Sequence, residues 1–509
     1  MTPAISALVF AFALVMGLVP ILMWVARRAG LVDKPDNTRK LHLNSIPLVG
    51  GIAIFVGSLI AAAFALWQSG IELSPTNRYE LIGLVLGLSV IVLVGVLDDR
   101  FALRGRQKLI GQIAAVTILY LFGYRFEVIE VMGFQVNFGI FSIVVVYFWC
   151  LAAINSVNLL DGADGFATVV GAIMSFAMSY MAFYMQQDID GMICLAFGGA
   201  LVAFLLFNFP PAKAYLGDAG SMLIGLFFAA ISIRCAFKQQ LAYAVFAPIT
   251  LLAIPLIDTS AAIIRRRLTG KSIYTEDRGH LHHVLAKRGL SPRKSLLFVT
   301  FFSLMTATGG ALALRLGRAE FALASIGMVL FLLVAFKVFG VAEFKLLSRK
   351  FIQIARSFLI VPKRTRVKSA EESSLSLQGD EDWAEVWGQF RKFAEQHELT
   401  QIILDVNAPW RHESYHARWR QGSFNASANH NWQVEMPIIV ENRIWGRVQI
   451  FAPRFTKVSH HEIILDLLEM ISVCEKEIAK DSSLHQVSQH LQLISVEDDT
   501  PNGSAFSAR

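Results

Sequence analysis

Two asparagines, two aspartates and two glycines crowd the stretch Asn155-Ser156-Val157-Asn158-Leu159-Leu160-Asp161-Gly162-Ala163-Asp164-Gly165, where one long apolar run ends and the next begins. Read as a helix, it places Asn158, Asp161 and Asp164 on one face, three residues apart. Glycines let a ligand approach the backbone closely. Carboxylates at a membrane boundary are costly unless they meet a cation or a donor-rich ligand. A polar loop in which Asp and Gly merely turn the chain is the plainer alternative.

Other polar clusters also fall at the ends of apolar runs. Asp98-Asp99-Arg100 closes the third run; adjacent carboxylates repel, so they call for a facing cation, a divalent ion or a raised pKa on one of them. An acidic pair solvated by Arg100 and Arg104 is the alternative. Leu216-Gly217-Asp218-Ala219-Gly220-Ser221 opens the eighth run, where Asp218 is either a helix N-cap or a carboxylate offered to a metal ion. Arg278-Gly279-His280-Leu281-His282-His283 follows the ninth. Three histidines in four residues raise the question of zinc, but no Cys or carboxylate set at ligand spacing accompanies them. With Arg265, Arg266, Arg267 and Lys271 nearby, a polyanion-binding loop is the better reading. The first basic loop supplies Arg39, Lys40 and His42, then Pro47-Leu48-Val49-Gly50-Gly51, which suits a phosphate-bearing ligand. Asp258, in the ninth run beneath Pro255, is either functional or an internal hydrogen-bond partner.

The elements that must position these groups are membrane helices. The 509 residues are 55% hydrophobic and only 17% charged, well below the charge of a soluble protein, so the fold class is an all-α polytopic membrane protein. Apolar runs near 4–26, 48–67, 80–97, 108–123, 139–158, 165–185, 190–208, 218–236, 241–264, 295–314 and 319–340 predict about eleven transmembrane helices. Alternate loops carry about 19 and about 6 basic residues, which puts the basic set, and every cluster above, on the cytoplasmic face and the N-terminus outside. The first run has no basic residue before it and Arg27-Arg28 after it, so it reads as a retained helix, not a signal peptide. The net charge of +7 is therefore a matter of topology, not of nucleic-acid binding. Cys150, Cys194, Cys235 and Cys474 form no CxxC pair and imply neither a metal site nor a disulfide framework. Residues 125–138 read as a small external β-hairpin.

Beyond about 341 the character changes. Residues 341–368 form an amphipathic basic helix suited to an anionic membrane surface, and 369–380 a Ser-rich linker within the 341–380 connection. A small soluble α/β domain spans about 381–480, with a helix at 383–397, a strand at 401–406, a hairpin at 432–451 and a closing helix at 459–479. Residues 481–509 read as a disordered tail.

Carboxylates with hard oxygens at a membrane face suit Mg²⁺, which binds through a few carboxylates plus substrate phosphates. Phosphoryl chemistry asks for charge neutralisation and in-line positioning. A membrane-embedded site implies a lipid substrate. Pro47-Leu48-Val49-Gly50-Gly51, Leu97-Asp98-Asp99-Arg100, Asn155 to Gly165, Leu216 to Ser221 and Gly279-His280-Leu281-His282-His283 resemble, in order, the motifs of the polyprenyl-phosphate N-acetylhexosamine-1-phosphate transferases. The resemblance covers about residues 1–340, the transferase domain. It implies transfer of a sugar 1-phosphate from a UDP-sugar to a polyprenyl phosphate with release of UMP, using Mg²⁺ or Mn²⁺, in a bacterial inner membrane.

The resemblance further implies Asp218, with Asp99, as metal ligands. It implies Asp98 and Asp99 at the lipid phosphate, and Asn155, Asn158, Asp161 and Asp164 at the nucleotide and metal. Lys40, His42, Arg265, His280, His282 and His283 would bind substrate. The His-x-His-His form resembles the branch using UDP-N-acetylglucosamine, which starts O-antigen, enterobacterial-common-antigen or teichoic-type glycans. Transfer of phospho-MurNAc-pentapeptide, or use of UDP-GalNAc, is the alternative within the family. A homodimer and an unidentified partner for the C-terminal domain are compatible with this reading; that domain faintly resembles the end of a GAF-type domain. A lipid or sugar transporter would also explain many spans with acids, but transporters place polar residues near the midplane and often carry internal repeats.

Overall fold

The computed structural model describes residues 2–33, 45–126, 128–131, 134–239, 248–268, 279–336, 371–378, 383–408, 413–421, 431–440, 443–453, 459–473 and 475. The chain divides into two compact units, Met1–Ser348 and Arg349–Arg509. The basic helix expected at 341–368 and the tail at 481–509 lie outside the described residues.

The first unit is helical: α1 (Pro3–Ala29), α2 (Gly50–Ser69), α3 (Pro75–Phe101), α4 (Gly105–Leu121), α5 (Ser142–Leu160), α6 (Phe166–Tyr184), α7 (Asp188–Asn208), α8 (Gly217–Gln239), α9 (Ala253–Leu268), α10 (Leu281–Lys287), α11 (Pro292–Leu316) and α12 (Glu320–Ala335). Starts and stops are written in the sequence. Thr2-Pro3 and Ser74-Pro75 open α1 and α3, with the Thr2 and Ser74 hydroxyls accepting from Ile5 N at 3.4 Å and Asn77 N at 3.1 Å. Gly30 and Gly317, at φ 70° and 65°, end α1 and α11 in the left-handed conformation. The expected hairpin is present, with β3 (Val128–Val131) antiparallel to β4 (Phe134–Asn137), and a shorter pair joins β1 (Val32–Asp33) to β2 (Ile46–Pro47).

Among the described residues eight helices, α1, α2, α3, α5, α6, α7, α8 and α11, are long and apolar enough to cross a membrane, which makes this a multi-pass membrane protein. The run near 108–123 falls on α4, of 17 residues, and the described parts of the runs near 241–264 and 319–340 include α9 and α12, of 16 residues each; 241–247 and 337–340 lie outside the described residues.

Helix α8 is the axis of the unit. Of its apolar window 94% is buried, against 28% for α1, and α2, α3, α5 and α6 pack around it. Close approach needs small residues. A Cβ at Gly95 of α3 would run into the backbone of Asp218 and Ala219, and one at Gly225 would meet Ile154 of α5. These contacts bring the end of α3, the end of α5 and the start of α8 to one place.

The second unit is a five-stranded antiparallel sheet in the order β5-β7-β6-β9-β8, built from β5 (Glu371–Gln378), β6 (Gln401–Ala408), β7 (Glu413–Arg420), β8 (Asn431–Val440) and β9 (Arg443–Pro453). Helix α13 (Trp383–Gln396) and a helix at 460–473 share its core, where Trp387 and Phe390 join Ile402, Leu404, Trp419, Ile463 and Leu467. Two strands depart from the expectation. β5 occupies the stretch read as a linker, and β7, unread, supplies the centre of the β5 side of the sheet.

Overpacking an interface of this kind costs about 1–3 kcal/mol. Gly95→Ala is therefore expected to lower the thermal unfolding midpoint in detergent by several degrees. Gly17→Ala, at a helical glycine with open space around it, should leave it unchanged or raise it. Equal midpoints for the two variants would remove the α3–α8 contact as a constraint.

Candidate active site

The acidic pair that ends α3 meets the start of α8 through an exchange of backbone and side chain. A helix start leaves unsatisfied N–H groups. Here Asp99 takes two of them, accepting from Asp218 N at 2.8 Å and Ala219 N at 3.3 Å. Gly217 lies at φ +73°, and any side chain there would come within 2.5 Å of Asp99 Oδ2. Asp218 is thus not the cap of its own helix, and its carboxylate is turned elsewhere. Asp218 Oδ1 accepts from Asn158 Nδ2 at 2.7 Å, and the same amide reaches Ser221 Oγ at 2.9 Å. Asp218 Oδ2 lies 2.6 Å from Lys108 Nζ, which also pairs with Asp98 Oδ2. Asp98 Oδ1 accepts from Leu103 N at 2.8 Å. The cation that the acidic pair called for is Lys108 of α4, a residue read from sequence only as a topology charge. Arg100, the expected solvating partner, instead donates to Gly30 O at 3.1 Å.

The Asn155–Gly165 stretch is not one helix. α5 stops at Leu160, a turn runs through Asp161 to Gly165, and α6 begins at Phe166. Gly and Asp break the helix, so Asn158, Asp161 and Asp164 share a cavity wall but no helical face. Asp164 Oδ2 accepts from Ala212 N at 2.9 Å. Asn208, 1% exposed, accepts from Gly165 N and Thr168 Oγ1 and donates to Ala214 O, which ties the turn to the segment before α8.

A cavity of 560 Å³ lies between these ends, within the range of small-molecule sites. Six carboxylates line it, from Asp33, Asp98, Asp99, Asp161, Asp164 and Asp218, with Lys108, Asn158, Asn208 and Tyr215. Burial, then the charges of Asp218, Asp99 and Asp164, push the Asp161 carboxyl well above the usual carboxylate range. Burial beside Asp164 and Asp33 pushes the Tyr215 hydroxyl up to about 12. Among the described residues no three His, Cys, Asp or Glu side chains stand in a ready ligand cage. Mg²⁺ needs no such cage, because it takes one or two carboxylates and completes its shell with water and substrate phosphates. The hard-oxygen donors and the excess of negative charge on the cavity wall fit such an ion.

The remaining expected residues divide. A Cβ on Gly162 would collide with the His282 ring, so this histidine rests directly on the Asp161–Gly165 turn. His280 points into the protein, its Nδ1 3.0 Å from Asp258 Oδ2, while Leu281 N donates to Asp258 Oδ1 at 2.9 Å. Asp258, left open by the sequence, is thus an internal hydrogen-bond partner that fastens the start of α10. His283 is exposed and its ring lies 4.1 Å from that of His282. Arg265 is buried against Gly279 and is not in the cavity wall. Asn155, expected to bind substrate, is also outside the wall; it hydrogen-bonds Gln112 and Leu151 O. Gly50 and Gly51 face the backbone of Leu216 to Gly220 and not a ligand; their N–H groups donate to Tyr215 O and Leu216 O, each at 3.2 Å. Lys40 and His42 lie outside the described residues. Sequence reasoning missed Lys108, Asp33, Asn208 and Tyr215. A lysine at the start of an apolar run, nine residues after an acidic pair, was a usable signal for the first.

Burial, with His283 and His280 beside it, holds the His282 imidazole down to about 3. Unfolded chains take up that proton near pH 6.5, so the fold loses stability as pH falls from about 6.5 towards about 3 and keeps it above that window. The unfolding midpoint should therefore drop on acidification across this range, and His282→Gln should flatten the slope. Parallel slopes for the two proteins would contradict a half-buried, neutral His282.

The comparisons agree with this geometry. Residues 81–236 match the model of glycosyl transferase family 4. The chain is 34% identical over 350 residues to the undecaprenyl-phosphate alpha-N-acetylglucosaminyl 1-phosphate transferase of Yersinia pestis, covering 66% of this chain and 90% of that one. It is 30% identical over 297 residues to the probable undecaprenyl-phosphate N-acetylglucosaminyl 1-phosphate transferase of Bacillus subtilis, covering 58% and 80%. Against the Escherichia coli (strain K12) undecaprenyl-phosphate alpha-N-acetylglucosaminyl 1-phosphate transferase it is 32% identical over 326 residues, covering 62% and 84%. With a relative 34% identical and matched over 90% of its length, and with the family model matching residues 81–236, the chain belongs to glycosyl transferase family 4.

Proposed function

We propose that this protein transfers N-acetylglucosamine 1-phosphate from UDP-N-acetylglucosamine to undecaprenyl phosphate and releases UMP. The observation that carries the reading is the Asp98–Lys108–Asp218 bridge inside a carboxylate-lined cavity at the ends of membrane helices. In the reaction an oxygen of the lipid phosphate attacks the β-phosphorus of the UDP-sugar. The bond from that phosphorus to the bridging oxygen breaks, and UMP leaves with the oxygen. Lys108 offsets the charge of Asp98 and Asp218 so that anionic phosphates can approach them. Asn158 fixes the direction of Asp218, and Asp99 holds the start of α8 in place. Mg²⁺, when bound, neutralises phosphate charge. Asp218 and Asp161 are the residues best placed to hold it, with Asp99 committed to capping.

The charge bias of the loops supports placing this end of the bundle on the cytoplasmic side of a bacterial inner membrane, with α4, α9 and α12 completing an eleven-span chain whose N-terminus is outside.

Purified protein given Mg²⁺, undecaprenyl phosphate and, separately, UDP-GlcNAc, UDP-GalNAc and UDP-MurNAc-pentapeptide should release UMP with the first donor alone, and EDTA should stop it. Release only with another donor would reassign the sugar, and none from folded protein would sink the reading. In the same assay Lys108→Met should cut the rate by about 100-fold or more, the usual scale for losing a charge-stabilising group. A variant with unimpaired rate would exclude Lys108 from the chemistry.

A further inference from the structure

Below the catalytic layer lies a second polar layer, one helical turn deeper. Lys108 of α4, Asn158 of α5 and Asp218 of α8 meet in the first. Four residues on from Lys108 stands Gln112, three back from Asn158 stands Asn155, and four on from Asp218 stands Met222. These three also meet. Asn155 Nδ2 donates to Gln112 Oε1 at 3.0 Å, Gln112 Nε2 donates to Asn155 Oδ1 at 3.3 Å, and the same Gln112 Nε2 reaches Met222 Sδ at 3.5 Å. Gln112 is 3% exposed and Met222 1%. Side chains at such spacings lie on one helix face, so the two layers are in register on all three helices.

In the upper layer α4 meets α8 through an ion pair, while further along the helix Thr117 Oγ1 and the Tyr147 hydroxyl, 2.7 Å apart, also join α4 to α5. Lys108 sits on a long, flexible stem, and an ammonium has no directional fork. A side-chain amide pair is directional, with donor and acceptor on both partners, and the bond from Asn155 Nδ2 to Leu151 O at 2.8 Å fixes that amide on its own helix so that it faces Gln112. We infer that Gln112 is a positioning residue: its reciprocal amide pair with Asn155 sets the rotation of α4 against α5 and so the reach of Lys108 to Asp218. Asn155 shares the task, which explains why it lies outside the cavity wall. The inference rests on the proposed transfer only for its kinetic readout.

The test compares wild type with Gln112→Met, Gln112→Asn, Asn155→Gln and the exchanged pair Gln112→Asn/Asn155→Gln, all purified in detergent. Misplacing a reacting group by about 1 Å can cost about 100-fold, so each single variant should lose about tenfold or more in kcat per folded protein, with KM for the UDP-sugar little changed and the unfolding midpoint lowered by a few degrees. The exchanged pair restores an amide facing an amide over the same total length and should recover most of the rate. A second readout does not depend on the donor sugar. Acylation of Lys108 by an N-hydroxysuccinimide ester, followed by mass spectrometry, should be faster in Gln112→Met than in wild type, because the ammonium is no longer held between carboxylates. If wild type releases no UMP, the proposed transfer fails while the labelling still decides the inference. Unchanged labelling with unchanged kcat would overturn it. So would an exchanged pair no better than the worse single variant, or a loss of rate fully matched by loss of folded protein.

Discussion

One ammonium group stands between two carboxylates, and the end of the bundle that carries the chemistry is arranged to keep it there. Six acids around 560 Å³ in a poorly polarisable setting would repel one another strongly. Lys108 is the lysine among the cavity's lining residues, and the start of α4 sets its level. The helix starts beside the acidic pair, where Arg104 N donates to Gln107 Oε1 at 2.9 Å, so Lys108 appears in its first turn at the level of Asp98 and Asp218.

Around this pairing, helix ends do most of the work. α3 and α5 finish at the cavity while α4, α6 and α8 begin there. Terminal N–H groups need acceptors and terminal carboxylates need donors, so the two needs answer each other across the gap. Glycine at 95, 162 and 217 makes the approach close enough, since a Cβ at any of these positions would strike a functional segment. Chemistry and packing are here the same contacts.

The apolar runs and the acidic clusters were legible in sequence because burial and cost dictate them: long helices need long apolar runs, and aspartates persist at a membrane boundary only with partners. What the residues could not disclose was which polar group answers which. Lys108 and Arg100 look alike in a charge count, yet one enters the cavity and the other holds Gly30. Asn155 and Asn158 lie one turn apart, but the deeper one meets Gln112, 43 residues away in the chain. Gly50-Gly51 read as a ligand-binding pair because a need for close backbone approach looks the same whether the neighbour is a phosphate or another helix. β7 was missed although Tyr415, Ala417 and Trp419 alternate inward, because His416, Arg418 and Arg420 on the outer face make the segment read as polar. Its partners decide it, not its own composition.

The cap that Asp99 provides for α8 has a consequence for motion. A carboxylate on one helix holding the first amides of another, just beyond the Gly95–Ala219 contact, leaves no freedom for α3 to slide or rock against α8 without stranding donors and acceptor together. The two helices therefore move as one body, and the spacing between the Asp98 carboxylate on one and the Asp218 carboxylate on the other is set by their common frame.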